Sequence, residues 1–221
     1  MRRHLSSLVA VVTLLGTGCG GGDQSSPSTP SLTLSDYRSA GYSYILGGTA
    51  GTSAPSDTAG WAATNTHSSA WQAVASAPFG DNSQNSQACA PLYYSGGTSG
   101  GTYLVVTAWP AAPTSNAATS DLLVTKSFVM PSPATVKIDV AVDNDIQVFV
   151  DGNDVTASLV AKSGLWGGLA NGFQTHGDCA EPGSGTFSAT GLGAGTHLLA
   201  IHAKDRGGVT YLDAKLYSEL Q

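Results

Sequence analysis

An all-β fold, a two-sheet antiparallel sandwich, is what this sequence predicts, and three observations predict it. The first is the stretch from Val136 to Thr156. Val136, Ile138, Val140 and Val142 alternate with polar or small residues, and Ile146, Val148 and Val150 do the same after a break. Successive strand side chains point to opposite faces, so each run describes a half-buried strand. The second is the absence of any long apolar stretch with a period of 3.6, which leaves little room for helix. The third is composition: 11% charged residues and 28 glycines describe a surface of hydroxyls and loops.

Between the two strands Asp143-Asn144-Asp145 reads as the turn of a hairpin. Asp151-Gly152-Asn153-Asp154 reads as a second turn, of residues that tolerate positive φ. The four aspartates, Asp143, Asp145, Asp151 and Asp154, invite a calcium reading, because hard cations take several oxygen ligands. They do not form an EF-hand loop: Gln147 stands at a ligand position and no glutamate closes the series. Turn formation is the preferred account of all four.

The N-terminus predicts export. Met1-Arg2-Arg3-His4 is basic, and Leu5 to Leu15 is an apolar run of about ten residues, the size of a signal-peptide core. Leu14-Leu15-Gly16-Thr17-Gly18-Cys19 is similar to a bacterial lipobox, with Gly16 where an aliphatic residue is usual. Residues 1–18 are therefore expected to be a lipoprotein signal peptide and Cys19 the lipidated mature N-terminus. The alternative is an ordinary secretory signal. Residues 19–31, rich in Gly, Ser and Pro, are expected to form a tether with an r.m.s. span of roughly 20 Å. Residues 32–221 are expected to form a single β-sandwich domain, an ordinary size for an all-β unit. The predicted location is a bacterial membrane, at the outer membrane or cell surface, with the lipid as the sole membrane contact.

Nine basic residues face fifteen acidic ones, and loss of Arg2 and Arg3 with the signal takes the net charge from −6 to −8. Nucleic acid and anionic membrane surfaces are thereby excluded as partners, since both need concentrated Lys and Arg. With Cys19 assigned to lipid, Cys89 and Cys179 remain, and in an exported protein such a pair is expected to be a disulfide. Two free thiols are the alternative.

Along the domain, Leu32-Thr33-Leu34 and Tyr42 to Leu46 read as short strands, with one more strand around Trp61. Tyr103 to Trp109 reads as a strand stopped by Pro110. Leu122 to Met130 follows, with Leu122, Val124 and Phe128 on one side, and Pro131 ends it. Ala161 to Gly185 reads as irregular. Thr186 to Thr190 is short, and His197 to Ala203, apolar on both faces, reads as a central strand. Val209 to Tyr217 closes the series, for about eight to ten strands in jelly-roll order.

Four stretches then carry a resemblance. Trp71 with Ala77-Pro78-Phe79-Gly80, Leu122 to Phe128, Asp143 to Gly152, and Gly195 to Asp205 together resemble galactose-binding-like jelly-roll domains. These occur as carbohydrate-binding modules and as accessory domains of glycosidases. The similarity runs from about Trp61 to Tyr217. It departs from the usual pattern at Lys126, Asp151 and Thr196-His197. The resemblance implies a sandwich in which Trp71 and Phe79 are core, and often a structural calcium ion, which it does not place. Function is not implied with the fold, since one sandwich carries many jobs.

Glu181 and Glu219 are the only glutamates, one beside Pro182 and one near the C-terminus, and the other acids sit mainly in turns, so no hydrolase is predicted. His197 and His202, five apart on one strand, face opposite sides and cannot share a metal. No metal site and no cofactor are assigned. His176 beside Asp178 and Cys179 suggests either a loop-borne site or a locally satisfied histidine. Sugar rings stack on aromatic faces while amides and carboxylates bond their hydroxyls, and such sites favour loops on a rigid scaffold. The candidate ligand-binding residues are Tyr93, Tyr94, Trp109, Trp166 and Phe173, with Gln174 and Asp178 as polar partners. The expected function is non-catalytic binding of glycan or another extracellular polymer. The alternative is a structural subunit of a surface layer or filament, with a secreted hydrolase behind it.

Overall fold

The alternating runs become strands whose apolar side chains all turn one way. Val136, Ile138, Val140, Val142, Ile146 and Val148 are each 0% exposed, and Val150 is 1% exposed. The structure is a computed structural model, and it describes residues 31–47, 60–80, 107–110, 120–177, 183–207 and 210–219. In chain order the strands are β1 (Ser31–Ser35), β2 (Ala40–Leu46), β3 (Gln72–Ser76), β4 (Phe79–Gly80) and β5 (Thr107–Ala108). Then come β6 (Ser120–Met130), β7 (Ala134–Asp143), β8 (Asp145–Val150), β9 (Asn153–Asp154) and β10 (Val160–Ala161). The last are β11 (Trp166–Ala170), β12 (Phe173–His176), β13 (Gly185–Leu192), β14 (Gly195–Asp205) and β15 (Tyr211–Glu219).

The described strands form two sheets. One runs β10-β13-β7-β15-β4-β5 with β1 also on β15, and the other β11-β12-β8-β14-β6-β2-β3 with β9 on β8. Among them the pairing of β4 with β5 is parallel and the rest are antiparallel. The chain is an all-β sandwich. Its core lies between the sheets, where register sets Ile138 of β7 between Leu216 of β15 and Phe187 of β13.

The first expected hairpin is not one. β7 and β8 belong to different sheets, so Asp143-Asn144-Asp145 is a corner where the chain crosses between layers. Its Asp143-Asn144 peptide is cis. Alternation is the same for a hairpin and for a corner, because each strand buries one face in either case. The second turn is a hairpin: β8 pairs with β9 through Asp151 (φ 51) and Gly152 (φ 78).

The region expected to be irregular contains strands. β11 and β12 pair across Asn171-Gly172, both with positive φ (51 and 84), the Asn-Gly signature of a tight hairpin. Around Trp61 there is a 3-10 turn, Trp61–Ala63, rather than a strand. It lies against β14 and β8, which explains why β14 is apolar on both faces: Leu198 and Ala200 are covered from outside, Leu199 and Ile201 from inside. Trp71 is buried here too, stacked on Trp61 (6.1 Å) and His67 (3.9 Å), in a cluster distinct from the inter-sheet core. Phe79 is in the inter-sheet core, edge-on to Tyr42 at 5.5 Å. Of the strand expected from Tyr103 to Trp109, residues 103–106 lie outside the described residues.

Candidate functional site

The candidate ligand residues part company in the structure. Tyr93, Tyr94 and Asp178 lie outside the described residues, as do Cys19, Cys89 and Cys179. Trp109 is corrected from platform to core. It is 0% exposed, its indole N–H donates to Ser120 Oγ at 3.1 Å, and its carbonyl accepts the Thr210 hydroxyl. A large apolar ring with a satisfied N–H is stabilised by burial, and no face is left for a sugar to stack on. Trp166 is half-buried. Its ring meets His176 (4.8 Å) and Phe187 (6.3 Å) edge-on, and its indole N–H donates to the Ser184 carbonyl at 3.3 Å. Gln174 is 7% exposed and donates from Nε2 to the Thr156 carbonyl at 3.1 Å, so it pins a turn and does not present its amide. Phe173 is half-buried on β12, and its ring neighbours are the polar side chains of His202 and Lys204.

What the fold brings beside β12 is the corner that, as sequence, reads as a plain turn. Asp143, Asn144, Asp145 and Asp205 are between 0% and 8% exposed, grouped where β7 ends and β14 ends. Backbone register holds them: Asn144 N–H donates to the Lys204 carbonyl (3.2 Å), and Asn144 Oδ1 accepts Arg206 N–H (2.8 Å). Arg206 then spans the group. Its Nη2 lies 3.1 Å from Asp145 Oδ1 and donates to the His176 carbonyl at 2.8 Å. Burial pushes the Asp145 carboxyl up, and Arg206 works against that shift. Arg206 thereby ties the end of β12 to the corner acids.

From this end a strip of side chains continues across the outer face of the eight-stranded sheet. His202 and Phe173 meet edge-on at 4.8 Å, and Lys204 Nζ sits 4.5 Å from the Phe173 ring centre. Asp121, buried on β6, holds His202 Nε2 at 2.7 Å and faces Lys204 Nζ at 3.8 Å. Gln147 on β8 is the next residue over, donating to Asp154 Oδ2 at 3.0 Å. Register makes this row: His202 stands opposite Gln147 on one side and Leu123 on the other. The arrangement offers an aromatic ring, an ammonium, an imidazole, an amide and carboxylates on rigid strands. Groups of these kinds stack on apolar faces and exchange hydrogen bonds with hydroxyls.

The four turn acids do not converge. Asp145 and Asp151 stand at opposite ends of β8, about 20 Å apart at a strand's rise per residue. Asp151 accepts Leu198 N–H at 2.8 Å and Asp154 accepts Thr156 N–H at 2.8 Å, so these two do shape turns. Among the described residues no three His, Cys, Asp or Glu side chains are placed to hold a metal ion. His197 and His202 face opposite sides, as expected: His197 packs on Phe128 and His202 on Phe173.

Residue-level reading missed Asp121, Lys204, Asp205 and Arg206. The signal was there in part, since Lys204-Asp205-Arg206 marks the end of the apolar strand β14, where loops carry function.

No family model matches the sequence, and no curated protein sequence matches it. Comparison with solved structures returns alignments at low TM-scores. A PA14 sugar-binding domain from an RTX adhesin is 24% identical over 43% of this chain and 45% of that one, with a TM-score of 0.25. The PA14 domain of the antifreeze protein MpAFP is 10% identical over 86% of this chain and 85% of that one, with a TM-score of 0.34. A GH31 α-xylosidase from Xanthomonas citri is 10% identical over 87% of this chain and 17% of that one, with a TM-score of 0.31. The chain thus spans under half the length of the adhesin domain and about a sixth of the xylosidase. The sandwich assignment stands on this chain's own strands.

Proposed function

We propose that the domain is a non-catalytic carbohydrate-binding module, held at a bacterial surface by a lipid on Cys19. One observation carries the binding reading: the buried acid–amide corner of Asp143, Asn144, Asp145 and Asp205 adjoins the Phe173–His202–Lys204 strip. The corner groups are bonded to Arg206 and to the strand ends, which makes this loop-bearing end a rigid support beside the strip, the setting that binding sites favour. The buried carboxylates act here by holding Arg206 and the strand ends in place, while part-exposed Phe173 supplies the apolar face and Gln147, His202 and Lys204 meet ligand hydroxyls. The galactose-binding-like resemblance of the motif series supports the same reading, as does the tether, which would let the domain reorient toward a polymer.

The test is a glycan array and polysaccharide pull-down with the lipid-free chain. Binding is expected to fall at least tenfold in Phe173→Ala and in Asp145→Asn, with melting temperatures still showing a folded protein. Blank arrays with the native chain would overturn the reading. Binding that occurs only with added calcium would transfer the acids' role to a metal-dependent one.

A further inference from the structure

The outer face of the opposite sheet carries a second groove, remote from the corner and independent of the reading above. Three adjacent strands place Ser188, Lys137 and Tyr217 in one row, because Ser188 pairs with Lys137 and Lys137 with Tyr217. The neighbouring row is Thr186, Asp139 and Lys215. Lys162, just past β10, closes the side, and the resulting open cavity holds about 180 Å³. At about 30 Å³ per water that is room for roughly six waters, the scale of one sugar ring rather than a chain.

The electrostatics of this groove differ from those of the molecule. In a chain with fifteen acids against nine bases, two lysines line one small cavity. Lys137 Nζ donates to Ser188 Oγ at 3.2 Å and faces Glu219 Oε2 at 3.6 Å, with that carboxylate 44% exposed. Exposed pairs of this kind contribute little, so a ligand carboxylate can replace Glu219 at small cost. Lys162 is exposed and has no ion pair among the described residues. Thr186 donates to Asp139 Oδ1 at 2.6 Å, which fixes one wall as hydroxyl and carboxylate. Burial, and then Asp139, raise the Tyr217 hydroxyl, so it is a neutral donor in the working range.

We infer that this groove binds a single uronic-acid unit, its carboxylate between Lys162 and Lys137 and its hydroxyls on Ser188, Thr186 and Glu219. A dianion such as sulfate fits less well, because Asp139 and Glu219 repel a second negative charge while leaving a hydroxyl-bearing monoanion its acceptors.

The test is titration of the lipid-free chain with sodium glucuronate, sodium galacturonate, galactose, acetate and sulfate, followed by amide chemical shifts. Changes at Lys162, Ser188 and Tyr217 are expected with a uronate, at affinity at least tenfold above galactose, acetate or sulfate. Lys162→Met is expected to lose most of that affinity and Phe173→Ala none of it, which separates this site from the first. No uronate response, equal response to acetate, or full retention in Lys162→Met would each overturn the inference. Lys162 is exposed, so its variant folds; Ser188→Ala gives a second check, with an expected loss of several fold.

Discussion

His197 Nδ1 lies 2.7 Å from Asp151 Oδ2, joining the start of β14 to the β8–β9 turn. The same carboxylate accepts Leu198 N–H through Oδ1. Burial works against the imidazolium, but Asp151 and the Gly193 carbonyl outweigh it and hold the His197 pKa above its usual value. A histidine whose folded pKa is raised contributes stability that is full below the unfolded pKa, near 6.5, and is lost as pH rises through the folded value. His197→Gln is therefore expected to lower the melting temperature more at pH 5.5 than at pH 8.5. Equal losses at both would show that the pair is not charged in the folded protein.

Asp213 tilts stability the same way with pH, through the cost of a buried charge rather than the gain of a pair. It is 2% exposed and accepts Arg38 N–H at 3.0 Å and Ala214 N–H at 2.9 Å, with Tyr37, Tyr42 and Lys126 around it. Burial raises its carboxyl to about 7 from 3.8 despite those bonds. The folded state then binds the proton more tightly than the unfolded chain, so stability rises as pH falls from above 7 toward 4. Asp213→Asn is expected to be stabilising by up to about 4 kcal/mol at pH 8 and near neutral at pH 4, since a tenfold change in proton affinity is worth about 1.4 kcal/mol. Denaturant midpoints at the two pH values check it.

Two aromatic residues with similar expectations in the sequence should separate experimentally. Trp109→Ala leaves a void in the core and removes the partner of the Ser120 hydroxyl, and is expected to cost about 3–5 kcal/mol. Phe173→Ala, on a solvent-facing strip, is expected to cost well under half of that and to lower glycan affinity instead. Chemical denaturation and binding on the same two proteins decide the matter.

Gly185 sets the position of Trp166. A Cβ there would lie 2.8 Å from both the Trp166 Nε1 and a Leu159 methyl. Gly185→Ala is expected to displace the indole, break its 3.3 Å bond to the Ser184 carbonyl and move tryptophan emission to the red. A spectrum identical to that of the native chain would show that Trp166 has room the structure does not give it.

Asn171-Gly172 carries a hairpin signal, since the φ of a tight turn asks for that dipeptide, but the stretch Ala161 to Gly185 lacks the apolar alternation that marks strands and so reads as irregular. The outward row of Phe173, His202 and Asp121 was not legible in the sequence. Its members come from β12, β14 and β6, and only register aligns them; His202 and Asp121 are 81 residues apart in the chain.

Local periodicity by itself determined the all-β class, the longer strands and most of the core, because one buried face per strand leaves its mark every second residue. Net charge was equally a matter of composition. Whether Asp143-Asn144-Asp145 turned back on the same sheet or crossed to the other was decided by the tertiary structure alone. The two outcomes bury the same side chains and differ only in which distant strands pair. That crossing gathers buried carboxylates at the end of β14, beside Arg206, and makes a candidate site out of residues whose local sequence asked only for a turn.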